Sequence, residues 1–286
     1  MKIVLYAFIA IFIFGILQPA FTNKAVNSNS IVLQATDSLV SIQQLELSAK
    51  IISGRLTDFN SEKFEVILLR GKRQIAIQAT NFHDLKKVEK LLVQKGALAF
   101  YETYDRKSLE DRLSIDNKLF TFFRNSEATS TNAKIGCVTA REAGVINDYL
   151  GNLGMLKGCK FVWDQPFEEP DVCLYALKTD GEKGALIVGS DIESVTTNQE
   201  KASQIQEISI TLKKEAVKVW ANATRRNINH AIAIVLDDKV LAAPVVRSVI
   251  EGGKCSITGN YTADEARWIA AIGNNGELPL NFTVVK

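Results

Sequence analysis

The sequence predicts an α+β fold in two lobes, with antiparallel sheets and helices packed on one face, and three observations predict it. Apolar residues recur at helical spacing in separate blocks along the chain. Short β-rich runs lie between those blocks, two of them spaced as a hairpin. The last third reads as strands and a helix set off by glycine, proline and a helix-start signal.

Taken in order, Leu39, Ile42, Leu45, Ala49, Ile52 and Leu56 recur at spacings of three and four between Ser38 and Phe59, which puts one apolar stripe on a helix. Phe64 to Arg70 and Arg73 to Gln78, separated by Gly71-Lys72, read as a hairpin. Asn81 can cap a second helix, where Phe82, Leu85, Val88, Leu91 and Leu92 keep the period until Gly96 ends it. Ala97 to Tyr104 then reads as a strand. Residues 106–183 are less regular and read as an insertion. They hold a polar loop around Asn125 to Lys134, a helical pattern from Ala140 to Leu153, and β-like segments at Lys160 to Trp163 and Val172 to Lys178.

After the insertion, Glu207 to Leu212 is a predicted strand, and Leu212, Ala216, Val219, Trp220 and Ala223 mark the apolar face of a helix running to about Arg225. Ala231 to Leu236 and Val240 to Val246 flank Asp237-Asp238-Lys239, a strand pair on a tight turn, with Pro244 forcing a bend or an edge position. Gly252-Gly253 introduces a strand at Lys254 to Thr258. Thr262 followed by Glu265 is a capping box, and the helix it starts carries Ala266, Ile269, Ala270 and Gly273 on one side. Leu280 to Val285 closes the chain as a strand.

At 286 residues and 47% apolar content the chain is long enough to bury a real core. Its net charge of +2 comes from 34 basic and 32 acidic residues spread along the whole length, which excludes the basic stripe a nucleic-acid binder needs. Lys2 and the apolar run Ile3 to Leu17, followed by Gln18, Pro19 and Ala20, make residues 1–22 a signal peptide or a membrane anchor. The run is shorter than the roughly 20 residues a spanning helix wants, and Ala20 and Thr22 suit a cleavage site. Both readings stay open, and they place the chain in the periplasm, either soluble or tethered to the inner membrane by residues 3–22. Residues 23–37, rich in Asn, Ser and Thr, read as a linker after which folding begins. Cys137, Cys159, Cys173 and Cys255 match no zinc spacing, and in an oxidising compartment they allow three connectivities. One bridge fits more readily than two, and buried thiols are the alternative.

No catalytic constellation is visible. His83 sits with Asp84 in the first turn of a helix and His230 starts a strand, and neither has a partner at ligand or triad spacing. HExxH, GxSxG, phosphate-loop and dinucleotide patterns are all missing, so no cofactor and no metal are expected. The carboxylates of Asp237 and Asp238 read as a solvated turn rather than a cation site. Trp220 and Trp268 fall on the apolar faces of predicted helices and read as core, as does Trp163, although Trp163 with Phe161 and Phe167, beside Pro166 and Pro170, is the better candidate for an exposed patch.

The stretch from His230 to Leu280, HAIAIVLDDKVLAAPVVRSVIEGGKCSITGNYTADEARWIAAIGNNGELPL, resembles the most recognisable part of SecD, a subunit of the bacterial protein-export machinery. The likeness rests on Ala233 to Leu236, Asp237, Lys239, Val240, Ala243, Pro244, Ile250, Gly252, Gly253, Ile257, Thr258, Gly259, Thr262, Glu265, Ala266, Gly276, Leu278 and Pro279. Arg73 to Tyr104 is similar to an earlier unit of the same family, and Ile135 to Lys178 to the longer insertion of some fused SecD and SecF chains. Asp238 departs from the family by replacing a turn glycine where a positive φ is expected, at a cost of up to about 1 kcal/mol.

The resemblance implies a ferredoxin-like base over 38–105, an insertion over 106–183, a head over 184–280 and a closing strand at 281–286. Family members continue into a bundle of membrane helices with charged residues, and this sequence stops at Lys286. By resemblance the chain is a non-catalytic periplasmic protein that assists export by binding an unfolded exported polypeptide or SecY-type translocon components. The alternative is an envelope binding module that keeps the head fold without an export role. The signature residues Asp237, Lys239, Ala243, Pro244, Gly252, Gly253, Thr258, Gly259, Thr262, Glu265, Gly276 and Pro279 are fold-determining, and a head of this kind acts through exposed backbone edges and apolar patches.

Overall fold

Alternating burial opens the fold earlier than the polar composition predicts. In the computed structural model, which describes residues 30–59, 63–79, 84–113, 117–123, 133–152, 156–164, 171–179, 184–199, 206–259 and 261–285, strand β1 (Ser30–Ala35) buries Ile31, Leu33 and Ala35 on one face. The linker predicted over 23–37 is therefore corrected from residue 30 onward; its earlier part and the apolar run of residues 3–17 lie outside the described residues. Helix α1 (Ile42–Phe59) follows, started by Ser41: its hydroxyl accepts from the Gln44 N–H at 3.2 Å and its own N–H donates to the Gln44 side chain at 3.0 Å. The predicted start at Ser38 is thus early by about one turn. Leu39 falls ahead of the cap and is 86% exposed, so it contributes nothing to the buried stripe.

Strands β2 (Phe64–Leu69) and β3 (Gln74–Ala79) pair as the predicted hairpin, with Arg73 taking the left-handed conformation at φ 54° that closes the turn. Helix α2 (Leu85–Val93) is capped by Asp84, whose carboxylate accepts from the Lys87 N–H. This replaces the predicted cap Asn81, which together with His83 lies outside the described residues. These elements and the chain's closing strand Phe282–Val285 form an antiparallel sheet in the order closing strand, β1, β3, β2, with α1 and α2 on one face. That is the ferredoxin-like order. Its fourth strand comes from the end of the chain because everything else is inserted after α2.

The inserted part runs β4 (Leu98–Tyr104), α3 (Arg106–Glu110), β5 (Lys134–Thr139), α4 (Ala140–Asn152), β6 (Cys159–Asp164) and β7 (Asp171–Lys178). It continues with β8 (Ile187–Val188), β9 (Ile192–Gln199), β10 (Gln206–Leu212), α5 (Lys214–Arg226), β11 (Ile232–Leu236), β12 (Lys239–Ala242), β13 (Lys254–Gly259) and α6 (Ala263–Asn275) before the closing strand, β14 (Phe282–Val285). A seven-stranded sheet has the order β5-β7-β6-β12-β11-β4-β8, and an additional pairing of β7 with β4 closes β4, β7, β6, β12 and β11 into a ring. Alternation shows what fills it. Val162, Tyr175, Leu177, Ala233, Val235 and Val240 share one cluster, while their neighbours on the same strands belong to others. Alanine and valine predominate in this narrow ring, with Tyr175 and Leu177 its larger members.

Two predicted boundaries change as a result. The strand at 98–104 belongs to the ring and not to the base, and residues 106–183 supply β5, β6 and β7 to the same sheet as β11 and β12. A disulfide joins Cys137 and Cys173, directly opposite each other on β5 and β7, while Cys159 and Cys255 are thiols. Trp163 is buried, its indole N–H donating to the Asn147 side chain at 2.8 Å, and the exposed patch considered for it is absent at that residue. A separate three-stranded sheet, β13-β10-β9, packs with α5 and α6 against the outer face of β4 and β11.

The lobes are joined at a buried charge. Arg55 of α1 is fully buried, and its guanidinium donates to the carbonyls of Leu91 (3.3 Å), Gln94 (2.5 Å), Lys95 (2.9 Å) and Gly276 (2.6 Å). Burial pulls its pKa down to about 10, against the attraction of Asp237 and Glu277, so it stays a cation at neutral pH. Beside it, the Asp237 carboxylate accepts from the Gln94 side chain (2.6 Å) and from the N–H groups of Gly96 (2.9 Å) and Ala97 (2.7 Å). The expectation of a merely solvated turn is corrected for Asp237, which is half-buried and structural. Gly96 is at φ +85° and a Cβ there would stand 2.1 Å from the Arg55 Nη2, so both conformation and space require glycine.

Replacing Arg55 with alanine strands these carbonyls away from water and is expected to cost at least about 3 kcal/mol in urea denaturation. Arg55→Lys recovers little of it, because an ammonium lacks the planar fork. At the β11–β12 turn both Asp237 (φ 48°) and Asp238 (φ 62°) are left-handed. Asp238 also pairs with Lys160 at 2.6 Å, but its side chain is 76% exposed and the pair contributes little. Asp238→Gly is therefore expected to raise stability by up to about 1 kcal/mol, read as a higher denaturation midpoint.

Candidate functional site

The signature residues of the last third shape a trough rather than a reactive centre. Pro244 has no N–H, so β12 stops at Ala242 and the chain leaves the ring. It then runs along the start of β11, where Val245 bridges Ala231 and Val246 bridges Ile228. The Ile250 N–H donates to the buried Thr224 hydroxyl at 3.0 Å, which fixes the far end of this segment. Gly252 and Gly253 reverse the chain into β13. Gly253 adopts φ +64°, and a Cβ there would come within 2.6 Å of Val217.

Residues 244–250 thus form one wall and Lys254, Cys255 and Ser256 the other. Trp220, Ile232 and Ile234 make the floor of a cavity of about 340 Å³. Trp220 is held edge-on by Phe100 at a centroid distance of 5.5 Å, and its indole N–H has no hydrogen-bond partner among the described residues. Tyr261 donates to the Leu241 carbonyl at 3.0 Å and pins the start of α6 to β12; burial pushes its phenol up to about 12.

The wall at β13 is also a sheet edge. The Leu212 N–H donates to the Gly253 carbonyl at 2.8 Å, and the register pairs Ile210 with Cys255 and Ile208 with Ile257. The alternation of an antiparallel ladder then turns the N–H and C=O of Lys254, Ser256 and Thr258 away from β10. No hydrogen bond from the described residues reaches these groups. The opposite edge of the same sheet is occupied at one position. There the Asn274 side chain accepts from the Val195 N–H at 2.7 Å and donates to its carbonyl at 3.0 Å, standing in for a neighbouring strand on β9.

The remaining signature residues surround this site. Asp237 and Lys239 bracket the β11–β12 turn, Ala243 packs at the ring's mouth, and Thr258 and Gly259 end β13. Thr262 and Glu265 make the capping box of α6, with the Thr262 hydroxyl accepting from the Glu265 N–H and the Glu265 carboxylate from the Thr262 N–H. Gly276 follows α6 and gives its carbonyl to Arg55; Pro279 lies between buried Leu278 and Leu280. Sequence reasoning missed Arg55, Asn274, Arg247 and the outward-facing groups of β13. Of these only Arg55 left a signal, a charge on the buried stripe beside Ile52 and Leu56. Among the described residues no group of three or more His, Cys, Asp or Glu side chains could hold a metal ion, and His230 stands 3.9 Å from Asp105 at the surface.

Residues 175–280 match the family model described as SecDF, P1 head subdomain. Over that stretch the chain is similar to a SecDF P1 head subdomain. It is also similar, at 25% identity over 94% of its length, to the protein translocase subunit SecD of Calditerrivibrio nitroreducens, of which it covers 46%. SecD of Aquifex aeolicus is 41% identical over 34% of the chain and 19% of that protein. The chain therefore spans less than half the length of these curated relatives. A solved structure titled "Structure and function of a membrane component SecDF that enhances protein export" shares the fold with a TM-score of 0.55, at 20% identity, over 90% of this chain and 98% of that one. The SecDF head match begins inside β7, and the whole trough, from Trp220 to Ser256, lies within it. No described helix is long and apolar enough to cross a membrane.

Burial pushes the Cys255 thiol up to about 12. Its thiolate fraction at pH 8 is then about a thousandfold below that of an ordinary cysteine. Alkylation followed by mass spectrometry is expected to label Cys255 at least about a hundredfold more slowly than in the denatured chain, with the rate climbing as pH rises.

Proposed function

We propose that the chain assists protein export by holding an extended polypeptide along the outer edge of β13, with alternate side chains of that polypeptide set into the trough. One observation carries this reading: the β13 edge of the three-stranded sheet turns backbone groups with no partner among the described residues outward beside an apolar trough, while Asn274 occupies the other edge at Val195. Backbone groups are common to every unfolded chain, so the edge offers its hydrogen bonds to any added strand and discrimination is left to the side chains in the trough. No bond is made or broken. The partners in this reading are an unfolded exported polypeptide and, beside it, components of a SecY-type translocon, and the place is the periplasm. The SecDF head match and the relatives named as protein translocase subunits support it. In this role Asp237, Gly253, Thr262 and Glu265 shape the trough from behind rather than touch what it holds.

Ser256→Pro separates the edge from the fold, because proline removes only an N–H that faces away from β10, a position edge strands tolerate. A photo-crosslinker placed at Ser248 in the full chain, during export arrested part-way, is expected to capture the exported polypeptide. Ser256→Pro should weaken capture about fivefold, the effect of roughly one hydrogen bond, with the urea midpoint nearly unchanged. Capture of folded envelope proteins alone, or a proline variant that captures as well as the parent, overturns the proposal.

A further inference from the structure

We infer that the trough selects among extended segments by charge, taking those that pair apolar residues with carboxylates and disfavouring those that carry lysine or arginine. This rests on the strand-holding reading above and adds the chemical class of what is held. Each wall contributes one cation to the trough, Arg247 from the 244–250 segment and Lys254 from β13. Both side chains are exposed, and no carboxylate among the described residues pairs with either, unlike Arg225, Arg226 and Lys160, which sit beside Glu251, Glu102 and Asp238. No aspartate or glutamate lines the trough. Glu251, next to the wall, stands 3.9 Å from Arg225.

The floor strengthens the asymmetry. Trp220, Ile232 and Ile234 are buried, so the trough sets positive charge over a low-dielectric base. Such a surface concentrates the field of its two cations. A carboxylate on the held strand meets an opposite charge without displacing an existing ion pair, whereas an ammonium meets two like charges. Because both cations are exposed, each contact is modest and sensitive to salt.

The full chain is titrated, with fluorescence anisotropy as readout, against short labelled peptides that alternate valine with serine, glutamate or lysine. The glutamate peptide is expected to bind about tenfold more tightly than the lysine peptide at low ionic strength, with the serine peptide between them and the gap closing toward about 1 M salt. In a chain carrying both Arg247→Glu and Lys254→Glu the order should reverse. Equal binding of the glutamate and lysine peptides, or an order unchanged in the double variant, overturns the charge preference while leaving strand holding in place. If none of the peptides binds, the strand-holding reading fails and the preference falls with it.

Discussion

Carbonyl groups left over at the end of α2 and just past the end of α6 converge on one side chain, the buried guanidinium of Arg55. Helix C-termini carry unpaired acceptors and partial negative charge, and both must be answered when such ends are buried together. A planar cation with donors in a fixed fork answers several at once, which no other side chain does. Its demands spread outward. Gly96 has to be glycine to let the guanidinium in, and Asp237 supplies a neighbouring negative charge while bonding the backbone that leads into β4. Base helix, ring hairpin and head helix therefore share one polar knot, and their relative positions are set by it.

The trough inherits its geometry from that knot. Asp237 fixes the β11–β12 turn, and β11 carries Ile232 and Ile234 into the floor. Gly276, whose carbonyl binds Arg55, ends the helix that presents Asn274 to β9. One helix thus occupies the far edge of the three-stranded sheet at Val195 and is itself anchored at the knot. An edge occupied in this way is hindered from adding a strand, which limits the uncontrolled association that exposed edges invite.

Local signals were legible where the physics is local. The α1 stripe through Leu45, Ile52 and Leu56, the β2–β3 hairpin and the Thr262–Glu265 capping box all involve residues within a few positions of one another, and each stands where the sequence puts it. β1 was hidden because its partners, β3 and β14, are remote, and without them six residues after a Ser-Asn-Ser run read as linker. β6 and β7 were visible as strands but not as members of the ring, since β7 meets β4, β5 and β6 at once, and β5 was missed between a polar loop and a helix. Pro244 and Gly252-Gly253 marked the trough's corners. Its chemistry escaped, because an outward N–H on Ser256 and the lack of a carboxylate near Arg247 are facts of register and packing.

Register also bounds how strongly such an edge can hold. Each backbone hydrogen bond offered by Lys254, Ser256 and Thr258 contributes about 1 kcal/mol net, while ordering each residue of an unfolded partner costs about 1–2 kcal/mol. Backbone pairing alone therefore roughly cancels. A surplus arises only where side chains reach the floor formed by Trp220, Ile232 and Ile234, at about 1.5–3 kcal/mol for each one fully buried. A segment with suitable side chains is retained for a time and a segment without them slips on. An edge built this way resists backward sliding without becoming a trap, provided that the trough stays short, and Pro244 at one end with Gly253 at the other keep it so.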